Sequence, residues 1–161
     1  MRSATRSGVV VLLAGSLSWA AEFTGKVVGV TDGDTVSVMH ADKAEEVRLW
    51  GIDAPESNQA FGTKAKQAAS TLCFGKVVTV TVKDTDRYGR TVGDVVLPDG
   101  KRLSRELILA GMGWWYNKYA PKDSELQRAE EEAQKKKRGL WADKAPVPPW
   151  EFRSSKRKKA P

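Results

Sequence analysis

Residues 47–56 read VRLWGIDAPE, an apolar strand-like run that carries an arginine and ends in two acids. Arg48 and Asp53 are an odd number of positions apart, so a regular strand would point their side chains to opposite faces. Gly51 lies between them, and a glycine inside a strand is typical of a bulge or bend. We therefore expect the strand to break near Gly51 and to bring the guanidinium and the carboxylate together.

Further acids lie close to this strand in the sequence. Pro55 restricts the preceding Ala54 to extended geometry, which holds Glu56 in place instead of letting it swing freely. The sequence DGDT places Asp32 and Asp34 on what reads as the turn of a hairpin. Taken singly, DGDT is a plain turn, DAPE is a loop before a helix, and the arginine is an ion pair on a sheet. Together they place charge where the fold does not need it.

These clustered carboxylates favour a metal ion, because acids raise one another's pKa unless a cation neutralises them. Ca²⁺ suits Asp and Glu oxygens together with backbone carbonyls and water. The sequence has no CxxC or HxxxH pattern for zinc, and only one cysteine and one histidine. We expect Cys73 to be a buried apolar side chain near a helix end and His40 to lie on the surface. Catalysis by histidine therefore has little support, and an internal disulfide is excluded.

The segment TDRYGRT, residues 85–91, is long for a simple turn and presents Arg87, Tyr88 and Arg90 at the mouth of a second hairpin. With Arg48, Arg90 would form a phosphate clamp beside the acidic group. Guanidinium groups and a metal ion stabilise charge that builds on a phosphoryl transition state, and a carboxylate can activate water. This combination indicates attack of water on a phosphate group.

Secondary-structure signals predict five strands and three helices, which point to an α+β fold with a small antiparallel barrel in a single domain. The strands are predicted at residues 22–30, 35–40, 45–52, 76–84 and 90–98. The helices are predicted at residues 59–72, 103–110 and 124–138, the last with a capping box formed by Ser124 and Gln127.

The N-terminal residues 1–20 have the pattern of a secretory signal peptide. Arg2 and Arg6 precede an apolar run, and small residues lead to a cleavage site after Ala20. The run is too short to span a bilayer, although an uncleaved interfacial anchor stays open as an alternative. We expect the mature protein to be exported, either to the periplasm or as a secreted protein.

The net charge of +7 is concentrated at the two ends of the chain. Residues 21–152 sum to zero, because the excess lies in the two leader arginines and in the basic residues from Arg153 onward. We expect the domain to span residues 21–145 and residues 146–161 to form a Pro-containing linker and a flexible basic tail. The composition of the tail fits added phosphate contacts and a solubilising or cell-surface role equally.

The ordered motifs DGDT, VRLxGIDAPE and DRYGR, followed by Ala129-Glu130 in a helix and by GLW at residues 139–141, resemble the staphylococcal nuclease (thermonuclease) family. The resemblance covers residues 23–142. It implies a five-stranded OB-fold barrel with three helices and a monomeric Ca²⁺-dependent endonuclease acting on DNA and RNA, with single-stranded or frayed substrate preferred. It also implies products with 3′-phosphate ends, because water attacks phosphorus and the bond to the 5′ oxygen breaks.

The same resemblance assigns roles to the acids. It implies that one Ca²⁺ is held by the carboxylates of Asp34 and Asp53 and by the backbone carbonyl of Ala54, with Asp32 as a supporting acid behind them. It implies that Glu56 is the general base, or that it holds a water bound to the metal.

On the substrate side, the resemblance implies that Arg48 and Arg90 bind the phosphate under attack, with Arg90 also suited to the leaving group. Arg87 and Tyr88 would contact a neighbouring phosphate, and Tyr119 would contact a nucleotide.

The sequence departs from the family pattern at two of these positions. Ala54 stands where the best-known member of the family has threonine, which preserves a carbonyl ligand, and Asn117 stands where a second tyrosine is expected. Trp114, Trp115 and Tyr116 could stack on unpaired bases, but packing in the core or its rim is favoured because strand neighbours point both ways.

The alternative function is a non-catalytic OB-fold module that binds oligonucleotides or another partner. Loss of an acid or arginine from the set would favour this alternative. None is lost.

Overall fold

The computed structural model describes residues 21–159, and the predicted signal peptide at residues 1–20 lies outside the described residues. The strands are β1 (Glu22–Asp32), β2 (Thr35–His40), β3 (Lys43–Leu49), β4 (Ile52–Asp53), β5 (Val77–Thr85), β6 (Thr91–Val96) and β7 (Trp114–Trp115). Five of them close into a barrel in the order β1-β2-β3-β6-β5, and β4 pairs separately with β7. The expected α+β fold with a five-stranded barrel of the OB type is confirmed.

One pair of strands in the barrel is parallel. β1 pairs antiparallel with β2 and with β5, and the β2–β3 and β5–β6 pairs are also antiparallel. β3 and β6 run parallel, with Arg48 opposite Val92. The sequence predicted an antiparallel barrel, which is wrong for this pair. A closed ring with an odd number of strands cannot alternate its direction throughout, so one parallel pair is unavoidable.

The third predicted strand breaks where Gly51 was expected to interrupt it. β3 ends at Leu49 and β4 begins at Ile52, with Gly51 at a φ of 75° between them. A Cβ added to Gly51 would lie 2.5 Å from Cδ1 of Leu126, so glycine suits both the turn and the packing. Because of this turn, Leu49 and Ile52 both enter the core, which also holds seven valines of the barrel strands.

Four α-helices accompany the barrel within residues 21–159, where the sequence predicted three. They are α1 (Gly62–Cys73), α2 (Leu103–Leu109), α3 (Ser124–Lys135) and α4 (Pro149–Lys159), and a 3₁₀ turn spans Gly139–Ala142. None of the helices in this part of the chain has the length and apolar character needed to cross a membrane. The N-cap of α3 is Asp123, whose carboxylate accepts a hydrogen bond from the Leu126 amide at 3.2 Å. The predicted capping box of Ser124 and Gln127 is therefore wrong, and the N-cap lies one residue earlier.

The additional helix lies in the segment for which a flexible tail was expected. Pro149 occupies the first helical position, where its missing N–H group is harmless, and Glu151 lies in the first turn, where the helix dipole favours a carboxylate. The ring of Trp150 stacks on Tyr116, with the ring centroids 5.4 Å apart. This part of the tail is therefore helical and docked on the domain.

Candidate active site

Asp34 connects the β1–β2 turn to the loop that follows β4. Its carboxylate accepts a hydrogen bond from the Ala54 amide at 2.8 Å, and its own amide donates to the Asp32 carboxylate at 3.1 Å. Gly33 permits the close contact, because an added Cβ would lie 2.7 Å from the methyl groups of Ala54 and Ala65. The turn thus fixes a carboxylate inside the domain, with Asp34 only 3% exposed.

Arg48 joins two buried carboxylates. Its Nη1 lies 3.3 Å from Oδ1 of Asp34, and its Nη2 donates to Oδ1 of Asp53 at 3.1 Å. Asp53 is 1% exposed and ends β4. The predicted convergence of Arg48 and Asp53 is confirmed, and the turn at Gly51 is its structural cause.

Negative charge exceeds positive charge around Arg48. The pKa of Asp34 is raised to about 7. Burial is the largest cause, and the carboxylates of Asp32 and Asp53 add to it, whereas the Arg48 guanidinium and the Ala54 amide act in the opposite direction. Burial lowers the pKa of Arg48, but the carboxylates of Asp34 and Asp53 outweigh burial and raise that pKa above its ordinary value. One arginine therefore does not neutralise these acids, and the site favours a further cation.

Arg153 of α4 supplies such a cation, although the sequence reasoning placed it only in the tail. Its Nη2 donates to Oδ2 of Asp53 at 2.7 Å, and its Nη1 donates to Oε1 of Glu56 at 2.7 Å and to Oδ1 of Asp53 at 3.2 Å. The hydrogen bonds to Asp53 and then to Glu56 raise the pKa of Arg153, against the effect of burial. The proline at the start of α4 could have predicted the helix, but no sequence pattern links Arg153 to these acids.

Glu56 lies at the rim of the site on a loop that is held against the start of α1. Its amide donates to the side-chain oxygen of Gln59 at 3.1 Å, and its carbonyl accepts from the Gln59 amide at 2.8 Å. Gly62 allows the helix to approach, because an added Cβ would lie 2.0 Å from the Glu56 carbonyl oxygen. The backbone is fixed while the side chain is 38% exposed, which suits a carboxylate that exchanges protons with water.

The loop between β5 and β6 is organised by Asp86. Its carboxylate accepts hydrogen bonds from the amides of Tyr88 and Arg90 at 2.9 and 3.0 Å and from Nε of Arg90 at 2.7 Å. Arg87 donates to the hydroxyl of Tyr88, which is largely exposed. Arg90 immediately precedes β6, two positions before Val92, which pairs with Arg48. Its guanidinium contacts Asp86 and is not brought into contact with the buried carboxylates.

The aromatic residues of β7 and of the segment that follows it divide into packed and exposed rings. Trp114 is buried and Trp115 packs against the core, so the packing role favoured for both is confirmed. Tyr119 is largely exposed, and its ring meets that of Tyr116 edge-on at 5.0 Å. Of the predicted substrate contacts in this segment, Tyr119 is therefore the ring that solvent can reach.

His40 and Cys73 lie apart from the acidic site, as expected. His40 is on the surface beside Glu45, with Nδ1 and Oε2 3.0 Å apart. Cys73 is buried, its thiol donates to the Ala69 carbonyl at 3.0 Å, and burial raises its pKa to about 11. Neither residue is placed to act as a nucleophile.

The donor chemistry of Asp34, Asp53, Ala54 and Glu56 fits a hard divalent cation. Two buried carboxylates, a backbone carbonyl and a rim carboxylate offer oxygen only, which Ca²⁺ prefers. Two guanidiniums contact Asp53, and the carboxylates of Asp32 and Asp53 add to the raised pKa of Asp34, so negative charge is concentrated here. In the described part of the chain, no three His, Cys, Asp or Glu side chains converge as a ready metal-holding group, and Arg153 bridges Asp53 and Glu56.

Known proteins with similar sequences match this same region. A family model described as staphylococcal nuclease homologue matches residues 46–143. The chain is 44% identical over 142 residues to a protein of Escherichia coli O157:H7 named an uncharacterized endonuclease, covering 86% of this chain and 92% of that protein. It is 40% identical over 156 residues to micrococcal nuclease of Shigella flexneri, covering 91% and 89%. It is 41% identical over 115 residues to a staphylococcal-like nuclease of Arabidopsis thaliana, covering 71% of this chain and 35% of that protein.

Proposed function

Because the chain belongs to the staphylococcal nuclease family, we propose that it is an exported Ca²⁺-dependent endonuclease that hydrolyses DNA and RNA to products with 3′-phosphate ends. The observation that carries the proposal is the contact of Arg48 with both Asp34 and Asp53, beside the rim carboxylate Glu56. Arg48 would bind the phosphate, and the carboxylates beside it would supply oxygen ligands for a cation. The protein would act as a monomer in the periplasm or outside the cell after removal of residues 1–20.

In the proposed reaction, Glu56 takes a proton from the attacking water, and the phosphate passes through a more highly charged transition state. Arg48 and Arg90 donate hydrogen bonds to the phosphate oxygens, with Arg90 towards the departing 5′ oxygen. Asp34, Asp53 and the Ala54 carbonyl would hold Ca²⁺, which supplies positive charge at the phosphate as a Lewis acid. Asp32 supports this set by accepting the hydrogen bond of the Asp34 amide.

Substrate contacts outside the reacting phosphate would come from Arg87, Tyr88 and Tyr119. Tyr88 and Tyr119 are 68% and 59% exposed, so both rings are open to a ligand. Exposed aromatic rings stack on unpaired bases without regard to sequence. These rings support a preference for single-stranded or frayed nucleic acid.

The test is digestion of end-labelled single- and double-stranded DNA and RNA with Ca²⁺ and with EDTA, followed by identification of the product ends. We expect Ca²⁺-dependent cleavage that Glu56→Gln reduces by about 10²- to 10⁴-fold, since general base catalysis contributes this much. Glu131→Gln, an exposed change on α3, is the matched control and should keep full activity. Cleavage that EDTA leaves unchanged would contradict the proposal. Binding without cleavage, whatever the metal, would support the non-catalytic module.

A further inference from the structure

Helix α4 places a guanidinium on the acids that the proposed reaction requires. Arg153 donates to both carboxylate oxygens of Asp53, at 3.2 and 2.7 Å, and to Oε1 of Glu56 at 2.7 Å. Asp53 is 1% exposed and also accepts a hydrogen bond from Arg48, so its oxygens are surrounded by donors from the protein itself. In this arrangement both Asp53 oxygens and Oε1 of Glu56 are occupied by donors of the protein, which compete with a cation for these atoms.

The docking of α4 rests on apolar contacts of two residues that precede Arg153 in the sequence. Trp150 stacks on Tyr116 at 5.4 Å and meets Trp114 edge-on at 6.4 Å. Phe152 lines a cleft of about 200 Å³ together with Phe61 and other residues near α1. These contacts hold the first turn of the helix, immediately before the arginine, so the position of its guanidinium follows from packing as well as from charge.

The connection before α4 keeps the arginine close to the site. The chain leaves the 3₁₀ turn at Ala142 and enters α4 at Pro149, and on the way the Val147 carbonyl accepts a hydrogen bond from Gln59 at 2.6 Å. A short tether gives the attached group a high effective concentration at its target. Gln59 belongs to the loop that carries Glu56, so the tether and the rim acid share one anchor.

We propose that α4 is an autoinhibitory element in which Arg153 competes with a divalent cation for Asp53 and Glu56, so that cation binding releases the helix. The proposal rests on the cation-binding part of the proposed function. A guanidinium carries one positive charge and a Ca²⁺ ion carries two, so the ion is the stronger partner for clustered carboxylates once its concentration is high enough. The apparent affinity for Ca²⁺ is therefore the intrinsic affinity multiplied by the fraction of molecules in which α4 is undocked.

Arg153→Gln tests this competition, with Arg157→Gln as the matched control. Both variants remove one positive charge from α4, but Arg157 is exposed and hydrogen-bonds to Ser154 on its own helix. Calorimetric titration of the full mature chain with Ca²⁺, without nucleic acid, should show about tenfold tighter binding for Arg153→Gln, as removal of a competing closed state predicts. The control should stay within about twofold of the wild type, because a distant exposed charge is screened.

Hydrogen exchange of the wild-type protein provides a second readout that does not depend on cleavage. Saturation with Ca²⁺ should speed amide exchange in residues 149–159, whereas the amides of the barrel strands should be unaffected or slowed. In Arg153→Gln, the helix should exchange quickly with or without Ca²⁺. Unchanged exchange of α4 in the wild type on saturation would overturn the proposal.

The remaining outcomes separate failure of this proposal from failure of the proposed function. If Arg153→Gln binds Ca²⁺ no more tightly while the wild type still cleaves with Ca²⁺, autoinhibition is wrong and the nuclease stands. If Arg153→Gln leaves Ca²⁺ affinity unchanged and weakens substrate binding, Arg153 is a phosphate-binding residue and the proposal is again overturned. If no variant binds Ca²⁺ or cleaves with it, both proposals fail.

Discussion

Two clusters of arginine and carboxylate side chains in this molecule have similar composition, but the pKa of an acid is lowered in one and raised in the other. In the first, here called the Arg102 cluster, Arg102 contacts Asp94 at 2.6 Å, Asp123 at 2.8 Å and Glu125 at 3.0 Å. It joins β6, the start of α2 and the N-terminus of α3. Burial raises the pKa of Asp123, but hydrogen bonds from Arg102 and from the Leu126 amide outweigh burial, and the pKa is lowered.

The second cluster, here called the Arg48 cluster, consists of Arg48, Asp34 and Asp53. Its acids are almost fully buried, and burial is the largest effect on Asp34, whose pKa is raised to about 7. The acids of the Arg102 cluster keep some contact with water, since Asp94 and Asp123 side chains are 14% and 16% exposed. The pKa of Asp123 is therefore lowered because hydrogen bonds from the protein outweigh burial, whereas the pKa of Asp34 is raised because burial outweighs Arg48 and the Ala54 amide.

The largest expected effect comes from replacing each central arginine by lysine. Arg48→Lys should lower kcat by about 10²- to 10³-fold, because an ammonium cannot replace a planar fork that binds phosphate. Arg102→Lys should lower the free energy of unfolding by about 1–3 kcal/mol, because lysine cannot reach three acids at once, and should leave kcat nearly unchanged. Cleavage kinetics at saturating substrate and urea denaturation measure the two effects. A large loss of kcat in Arg102→Lys together with an unchanged kcat in Arg48→Lys would contradict the distinction between the clusters.

A comparable effect, on stability alone, is expected from the turn that assembles the Arg48 cluster. Gly51→Ala should lower the free energy of unfolding by about 2–4 kcal/mol, since it combines a left-handed backbone with a steric clash. Gly75→Ala is the matched control, because Gly75 has the same φ of 75° and an added Cβ there would meet nothing within 4 Å. Gly75→Ala should lower the free energy of unfolding by about 1 kcal/mol, because only the left-handed backbone is unfavourable for alanine there. Urea denaturation compares them, and equal losses would show that the contact with Leu126 is unimportant.

The smallest effect concerns the charge of Asp123 and its dependence on pH. Asp123→Asn keeps an N-cap oxygen but loses the charge that pairs with Arg102. Because the pKa of Asp123 is lower in the folded state, its charge contributes stability above the ordinary value of 3.8, and this contribution is lost as the pH falls through the folded-state pKa. The wild type should therefore be more stable than the variant at pH 7, with the difference vanishing in acid. A difference in the melting temperature that grows as the pH falls would contradict this sign.

The sequence was sufficient for those features that depend on neighbours along the chain. Alternating β-branched residues predicted the strands, the Asp-Gly pair predicted the β1–β2 turn, and a glycine between Arg48 and Asp53 predicted the break that unites them. Each of these signals acts over a few residues. The roles of the site residues in cleavage stay predictions, as do the metal ion and export.

The contact of α4 with the site could not be predicted in this way. Arg153 and Glu56 are 97 positions apart, and their contact depends on how Trp150 packs against Tyr116. The proline-rich approach to α4 was interpreted as a linker, although Pro149 is also a favourable first residue of a helix. The Arg102 cluster was missed for a similar reason, since its acids come from separate segments that only the tertiary fold brings together.

The parallel β3–β6 pair has a consequence for when the enzyme could first act. Arg48 lies on β3 and Arg90 immediately precedes β6, so the two proposed phosphate-binding residues are brought to neighbouring strands only when segments distant in the sequence pair. Such non-local pairing is slow compared with the formation of hairpins and helices. A newly made chain that has not yet folded would therefore lack the phosphate clamp. For an exported nuclease, this delay would spare the nucleic acids of the cell that makes it.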